Sequence, residues 1–287
     1  MLDGIDALIA LHRYGTVSEA AVRLNLTQSA VSKRIRGLQD ELGYTLVEPN
    51  GRKLRITPQG LDFLERARPL VAELRDLRSP GEAAGLSRYT LAMADSIASS
   101  WGPAVLRRAL STLPAVRVDL HSHRSVLVVE SVLLGRYHVG MCTDVPGASE
   151  LIHHALAEEP MVLVNASLAR RPRTDSPLIT IEPSSAAWRA IEPNLRALQP
   201  QLARRVRVPV ESFSAAIQMV KAGFGDGLVP LGLAFESRLS RGCYRALPGM
   251  TRPVALLTRK TVNRLESFSR LREGLRKAAA TYFARAR

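Results

Sequence analysis

Cysteine is scarce in this chain. Its 287 residues include two, Cys142 and Cys243. A small scaffold held together by several disulfides is therefore excluded. We expect two free thiols in a reducing compartment, and the sequence leaves open whether either thiol is redox-active.

Long apolar runs are also missing. No stretch approaches the roughly 18–20 consecutive apolar residues that a membrane-spanning helix needs. The N-terminal residues lack the basic, apolar and cleavable segments of a secretory signal. We therefore expect a cytoplasmic protein that makes no membrane contact.

Acidic residues are outnumbered, with 40 Lys and Arg against 26 Asp and Glu, a net charge of +14. A basic balance suits a nucleic-acid partner, but most of the excess lies late in the chain. Residues 1–78 hold 12 basic and 10 acidic side chains, while residues 23–55 hold seven and three. The position of the basic residues therefore carries more weight than the total.

The segment from residue 16 to 27 predicts one short helix and the start of another. Thr16 followed by Glu19 forms a capping box, which places a helix over Val17–Leu24. Asn25 is suited to the left-handed turn that ends such a helix, and Thr27 can cap the next one.

The second helix is predicted over Gln28–Leu42, with Gly43 as its stop. One face carries a buried apolar stripe at helical spacing: Val31, Ile35, Leu38 and Leu42. The opposite face and its flank carry residue types that bond base edges and phosphates. The candidate DNA contacts on this helix are Gln28, Ser29, Ser32, Lys33, Arg34 and Arg36.

A basic hairpin follows this helix. Thr45–Val47 and Leu54–Ile56 can pair around Pro49-Asn50-Gly51, which places Arg52 and Lys53 at the tip. A tip of this kind suits a minor groove or the phosphate backbone. Alone, the helix pair would be better interpreted as a solvated basic surface, but the attached wing favours DNA binding.

At this point the chain resembles the N-terminal domain of LysR-type transcriptional regulators. The resemblance is carried by AAVRLNLTQSAVSKRIRGLQDELG and by LVEPNGRKLRITPQG. Pro49 stands where these proteins often have arginine, and Ser29 where many have proline. These departures bear on one phosphate contact and on base preference, not on the fold. The resemblance implies a regulator that binds double-stranded DNA as a homodimer or homotetramer and responds to a small-molecule effector.

Thr57-Pro58 predicts the start of a long helix, a capping hydroxyl followed by proline at the first helical position. Its apolar stripe, with Pro69 as an interruption, is suited to pairing with a second copy. The predicted dimerisation residues are Leu64, Val71 and Leu74. The helix should end near Ser79-Pro80-Gly81, with a hinge up to Gly85.

Beyond Leu86, strands and helices alternate, which predicts a parallel sheet covered by helices. The predicted elements of the first part are a strand over 88–94, a helix over 101–113, a strand over 116–121, a helix over 126–134 and a strand over 139–143. Residues 161–165 are interpreted as a strand leading into a crossover. The later elements are strands at 178–181 and 206–210, helices at 187–198 and 214–222, a strand entry in GDGLVP and a final helix over 262–283. The order resembles a periplasmic-binding-protein-like effector domain of two lobes.

Ligands of such sheets bind at strand ends near helix N-termini. Hydroxyls recur there, and they suit a carboxylate, although each serine alone is as readily a plain helix cap. By family resemblance the candidate effector-binding residues are Ser96, Ile97, Ser125, Ser184 and Phe213. Asp95 and Asp144 also fall near strand ends, where a carboxylate can bind an amine or simply face solvent.

Other motifs do not indicate a metal site, a nucleotide-binding loop or a catalytic site. His121 and His123 share a strand face but have no third ligand nearby. The glycines of GFGDG lie between a helix and a strand, the reverse of a dinucleotide loop. No catalytic constellation is discernible, so we expect a protein that is not an enzyme, with no metal and no cofactor besides the effector.

The sequence therefore predicts an α/β protein overall. A winged helix-turn-helix over 1–57 is followed by a linker helix and hinge over 58–85 and an effector domain over 86–287. Lobe I should cover about 86–164 and 262–287, and lobe II about 165–261. The predicted function is sequence-specific, effector-modulated transcription regulation. The alternatives are a DNA-binding repressor with a vestigial cleft and an enzyme or solute-binding domain with an accessory DNA-binding module.

Overall fold

The computed structural model describes residues 1–51, 53–76, 87–143, 151–165, 176–239 and 241–286. The chain divides into two compact units, Met1–Arg75 and Asp76–Arg287. Of the predicted features, Arg52, Asp144 and the hinge up to Gly85 lie outside the described residues. No helix in the described ranges is both long and apolar enough to cross a membrane.

The first unit begins with three helices, α1 (Leu2–Tyr14), α2 (Val17–Leu24) and α3 (Gln28–Leu42). Both predicted helices, α2 and α3, have the bounds that their caps indicated. The Thr16 hydroxyl accepts from the Glu19 amide at 3.2 Å and so fixes the start of α2. Asn25 adopts a left-handed conformation at the end of α2, with φ 54°.

A hairpin follows, and its first strand lies later in the chain than the predicted Thr45–Val47. The strands are β1 (Val47–Asn50) and β2 (Lys53–Ile56), which pair from Val47 opposite Ile56. The side-chain oxygen of Gln39 accepts hydrogen bonds from the backbone amides of Leu46 and Val47, at 2.8 and 3.0 Å. This α3 side chain thereby fixes where the wing begins.

The helix α4 (Pro58–Asp76) completes the first unit and retains Pro69 within it. Leu64 and Val71 are buried in the chain itself, at 2% and 3% exposure, so they are not free to form a seam with a second copy. This corrects the predicted dimerisation surface at Leu64 and Val71, whereas the third predicted residue, Leu74, is exposed. The exposed apolar residues near them are Leu70 and Leu74, at 65% and 45%.

Lobe I of the second unit is built on three parallel strands. These strands and the helices between them are β3 (Ser87–Ala94), α5 (Asp95–Ala98), α6 (Gly102–Leu110), β4 (Val116–His123), α7 (Ser125–Leu133) and β5 (Val139–Thr143). The sequence predicts this alternation, apart from the short helix α5. Each helix returns the chain across the sheet to the next parallel strand.

Lobe II repeats the arrangement with β7 parallel to both β8 and β9. Its elements in chain order are β7 (Leu178–Ile181), α8 (Ala186–Leu198), α9 (Pro200–Ala203), β8 (Arg207–Val210), α10 (Phe213–Lys221), β9 (Asp226–Pro230) and α11 (Leu231–Glu236). A single turn of 3-10 helix, Arg241–Cys243, follows.

Two long antiparallel strands thread both lobes, β6 (Ile152–Val164) and β10 (Tyr244–Thr258). β10 pairs with β5 in lobe I, whereas β6 pairs with β9 in lobe II. The resulting sheet has the order β4-β3-β5-β10-β6-β9-β7-β8. The sequence pattern predicts only the end of β6, from Met161 onward, and it does not predict β10.

Each lobe has its own hydrophobic core. The predicted final helix is two helices, α12 (Lys260–Asn263) and α13 (Glu266–Ala286). α13 returns to lobe I, as predicted, and Phe268, Leu271 and Leu275 are fully buried there. Tyr282, near its end, packs against both cores.

Candidate nucleic-acid interface and interlobe site

The start of α3 is fixed by a hydroxyl cap. Thr27 accepts from the Ala30 amide at 3.2 Å, and the hydroxyls of Thr27 and Ser29 lie 3.0 Å apart. Gln28 and Ser29 are both exposed in the first turn. Helix-start amides and two short polar side chains therefore face solvent at one helix end, an arrangement suited to phosphate and base edges.

α3 has one buried face and one face exposed to solvent. Val31, Ile35 and Leu38 are buried, with at most 1% exposure. Lys33 and Arg36 are exposed, and Ser32 is half-buried. The structure thus leaves four predicted contacts exposed to solvent, Gln28, Ser29, Lys33 and Arg36, while Ser32 is half-buried beside them.

Arg34 differs from the other candidates on α3. Its guanidinium forms an ion pair with Asp3 at 3.1 Å, and its side chain is 34% exposed. It lies next in sequence to buried Ile35, on the side that meets α1. A Cβ on Gly4 would come within 2.8 Å of the Arg34 carbonyl oxygen, so the two helices approach closely at this point.

The wing is held in place by polar contacts. Thr57 donates to the Thr45 carbonyl at 2.9 Å, and its hydroxyl accepts from the Gly60 amide at 3.0 Å. Across the hairpin, the Arg55 Nε donates to Glu48 at 2.9 Å. Lys53 begins β2 opposite Asn50. The hairpin is therefore anchored on both α3 and α4, while Arg52 of the predicted basic tip lies outside the described residues.

In the second unit, Ser96 follows β3 and meets an arginine from the crossing strands. The Arg252 Nη1 donates to the Ser96 hydroxyl at 2.8 Å. The Arg252 side chain is fully buried and bonds Glu159 through Nε and Nη2, at 2.9 and 2.7 Å. A buried charge must be paired, and here the partner comes from the neighbouring strand β6.

Lobe II contributes two more groups to this buried ion pair. The Gly232 amide donates to the other Glu159 carboxylate oxygen at 3.2 Å. The Arg252 guanidinium lies 5.4 Å from the centre of the Phe213 ring. A Cβ at Gly232 would lie 2.8 Å from Glu159 Oε1, so glycine is required for this approach. The pair therefore links Ser96 of lobe I with two elements of lobe II.

Ser125 and Ser184 lie beside a second interlobe contact. Ser125 is the first residue of α7, and Arg124 before it pairs with Glu182 of lobe II at 3.2 Å. The Ser184 hydroxyl donates to the same Glu182 carboxylate at 3.4 Å. A further pair of hydroxyls, Ser99 and Ser214, lies 3.4 Å apart between the lobes.

Two predicted effector contacts need correction. Ile97 is fully buried in the core of lobe I, so its side chain is not available to a ligand between the lobes. Phe213 is 2% exposed and lies beneath Arg252. Ser96, Ser125 and Ser184 keep their predicted places at strand ends and helix starts.

Sequence reasoning misses Arg252 and Glu159. Both lie in strands that cross between the lobes, and the prolines of β10 interrupt the apolar pattern by which a strand is recognised in the sequence. The available signal was a charged residue, Arg252, immediately before a run of apolar strand residues.

Polar contacts also lie at the ends of β3 and β4. The exposed Asp95 carboxylate accepts a hydrogen bond from the Ser122 hydroxyl at 2.6 Å. Burial and the nearby His121 lower the pKa of His123.

Family comparisons match both units. Residues 2–61 match the bacterial regulatory helix-turn-helix protein, lysR family, and residues 84–280 match the LysR substrate binding domain. The chain belongs to the LysR family of transcriptional regulators. The order of the two matched regions is the order of the two units described above, so both halves of this regulator carry family features.

Individual proteins and solved structures also match this chain over most of its length. The transcriptional regulator TfdS of Cupriavidus pinatubonensis is 27% identical over 238 residues, 79% of this chain and 81% of its own. The structure of CbnR in complex with its target DNA matches with a TM-score of 0.56 at 24% identity, over 97% of this chain and 99% of that one. LysG of Corynebacterium glutamicum with bound effector Arg has a TM-score of 0.51 at 19% identity, covering 98% of both chains. These structural matches concern the fold.

Proposed function

We propose that the regulator reads its operator with the solvent-facing surface of α3. The observation that carries this proposal is the joint exposure of Gln28, Ser29, Lys33 and Arg36 on a helix whose apolar stripe is fully buried. Glutamine can bond adenine through both amide atoms, and lysine can reach the acceptors of guanine. The groups suited to base reading are Gln28 and Lys33, with Ser29 and Ser32 beside them.

The remaining cations are better suited to the phosphate backbone. Arg36 lies further along α3, Arg34 pairs with Asp3, and Lys53 opens β2 of the wing. Backbone contacts fix the register of a protein on DNA without reading sequence. We assign Arg34, Arg36, Arg52 and Lys53 to this role. A DNA-bound relative, CbnR, supports the general mode.

The second unit is proposed to bind a small-molecule effector between its lobes, with Ser96, Ser125 and Ser184 as contacts. Hydroxyls from both lobes lie beside the starts of α5, α7 and α8. An effector alters DNA geometry only if it favours one arrangement of the lobes over another. The Arg124–Glu182 pair and the Arg252–Glu159 pair are the interlobe contacts on which it would act.

We further propose that the protein is a homo-oligomer, acts in the cytoplasm where its DNA lies, and performs no catalysis. Apart from the effector, the proposal includes no cofactor and no metal. The regulatory names of its relatives support this. Leu70 and Leu74, with half-buried Phe63, form an exposed apolar stripe along α4 that a second copy can cover. Phe63 and Leu70 are seven residues apart, and Leu70 and Leu74 are four apart, which is the spacing of the apolar contact line between two paired helices.

The DNA-reading assignment is tested by competition between specific and random duplexes in a gel shift, with a specific duplex that the parent protein selects from a random library. Gln28→Ala and Lys33→Ala should each cost about 1–3 kcal/mol on the specific site and relax base preference. Gln59→Ala, an exposed glutamine on α4, is the matched control. Unchanged discrimination in the Gln28 and Lys33 variants would refute the assignment.

A further inference from the structure

A pocket on lobe I lies away from the interlobe serines. It opens between α6 and α13 and has a volume of about 510 Å³. Ligand sites typically enclose about 300–1,000 Å³. None of Ser96, Ser125, Ser184 or Arg252 lines it. Its size therefore fits a small organic molecule at a place that the proposed effector cleft does not use.

The lining of this pocket is basic around an apolar floor. Arg107 and Arg108 come from α6 and Arg285 from α13, and all three are exposed. Among the described residues, none accepts a hydrogen bond or ion pair from these guanidinium groups, and no lining residue is acidic. Val105 and Tyr282 supply apolar surface between them.

Three guanidinium groups with no acidic neighbour in the lining, beside an apolar floor, select for one class of ligand. Arginine binds carboxylates through two parallel hydrogen bonds, and its charge disfavours cations in the same place. The floor favours an apolar body. We propose that this pocket binds a small organic anion, a carboxylate or sulfonate attached to an aromatic or branched aliphatic group.

Tyr282 connects the pocket with the contact between the lobes. Its ring packs against both cores and lies 6.3 Å from the Trp101 ring and 6.2 Å from that of Phe235 in lobe II. Its hydroxyl donates to Glu236 of α11 at 2.9 Å. Burial and the hydrogen bond to Glu236 raise the pKa of this hydroxyl above its usual range. An anion seated on Tyr282 therefore contacts a residue that both lobes hold.

The fluorescence of Trp101 provides a local measurement. The chain has two tryptophans, so Trp188→Phe in the full-length protein leaves Trp101 as the reporter. Titration with phenylacetate should change the Trp101 emission saturably. The neutral counterpart phenylacetamide should require at least tenfold higher concentration. Calorimetric titration of the protein with both tryptophans gives the same comparison if Trp188→Phe does not fold.

Variants locate the binding site. Arg108→Gln with Arg285→Gln should weaken phenylacetate binding at least tenfold, and Ala104→Phe should weaken it by filling the pocket from its α6 side. Arg136→Gln with Arg204→Gln removes two exposed charges elsewhere and should leave the affinity unchanged. Ser125→Ala should also leave it unchanged, because Ser125 lies in the interlobe site.

Four binding results would each overturn the proposal. These are no saturable binding of phenylacetate, equal binding of phenylacetamide, unchanged affinity in the Arg108/Arg285 variant, or loss of binding in Ser125→Ala. Sedimentation velocity of the Arg108/Arg285 variant should match that of the parent protein. A smaller particle in that variant would show that the surface joins two copies of the chain, which also overturns the proposal. None of these outcomes depends on the assignment of the DNA-reading helix.

Discussion

At the level of single residues, Arg252 and Glu159 are the groups whose removal should matter most to the second unit. Both are fully buried, and each is the other's ionic partner. Removing one partner of a buried ion pair leaves an uncompensated charge, whereas replacing both with apolar residues avoids that cost. The pair should therefore respond differently to single and double substitution.

Glu159→Gln is predicted to destabilise the protein by about 3–5 kcal/mol, because Arg252 stays buried without its counter-charge. Glu159→Leu combined with Arg252→Met should recover much of that loss. The control is Glu158→Gln, an exposed neighbour on the same strand, with an expected effect below about 0.5 kcal/mol. Thermal unfolding followed by tryptophan fluorescence measures all three, since Trp101 and Trp188 both lie in the second unit. Equal melting temperatures for Glu159→Gln and Glu158→Gln would contradict the predicted role of the pair.

Residues with a local partner were the ones that the sequence could predict. Thr16 and Thr27 cap helices through contacts three residues away, and both were identified. Arg252 bonds Ser96 across 156 positions, and Glu159 bonds Arg252 across 93. No local pattern encodes such a pairing, so the buried centre of the interlobe site appeared only in the structure.

At the level of elements, α4 has two apolar stripes, of which the chain itself covers one. Leu64 and Val71 are buried, while Leu70 and Leu74 remain exposed. The sequence could place the helix and its apolar residues. It could not show which stripe packs internally, because both have helical periodicity.

The exposed stripe of α4 gives a prediction about assembly. Leu70→Glu with Leu74→Glu should separate the protomers, because charges would replace apolar contacts between two helices. Leu61→Glu is the matched control, since Leu61 is similarly exposed, at 46%, but points about half a turn away from Leu70 around the helix axis. Sedimentation velocity measures the outcome. An intact oligomer in the double variant, or a dissociated one in the control, would place the interface elsewhere.

Among the strands, those marked by a local sequence pattern were predicted and the one without such a pattern was not. β5 and β7 have the predicted bounds, because short apolar runs between turn residues identify buried strands. β10 was missed because Pro248, Gly249 and Pro253 interrupt it. Its pairing with β6 shifts register between Ala246 and Thr251, which accommodates the first two of these residues.

On the level of the whole molecule, the interlobe serines give a prediction about regulation. Ser125→Ala and Ser184→Ala should each weaken effector binding by about 1 kcal/mol, roughly fivefold, through loss of a hydroxyl contact. Effector-free operator binding should change little. Ser237→Ala, a half-buried serine after α11, serves as control. Calorimetric titration with a panel of small carboxylate metabolites is the measurement, and a metabolite that binds the parent protein and all variants equally would place the site elsewhere.

The function proposed for this regulator depends above all on α3 reading DNA sequence. Selection of bound duplexes from a random library tests it most directly, because the operator sequence does not have to be chosen in advance. The protein should enrich a motif with two half-sites, as expected for a symmetric oligomer. Gln28→Ala with Lys33→Ala should lose base preference within each half-site while still retaining duplexes through phosphate contacts. Enrichment of the same motif, to the same degree, by the parent and the double variant would contradict the account.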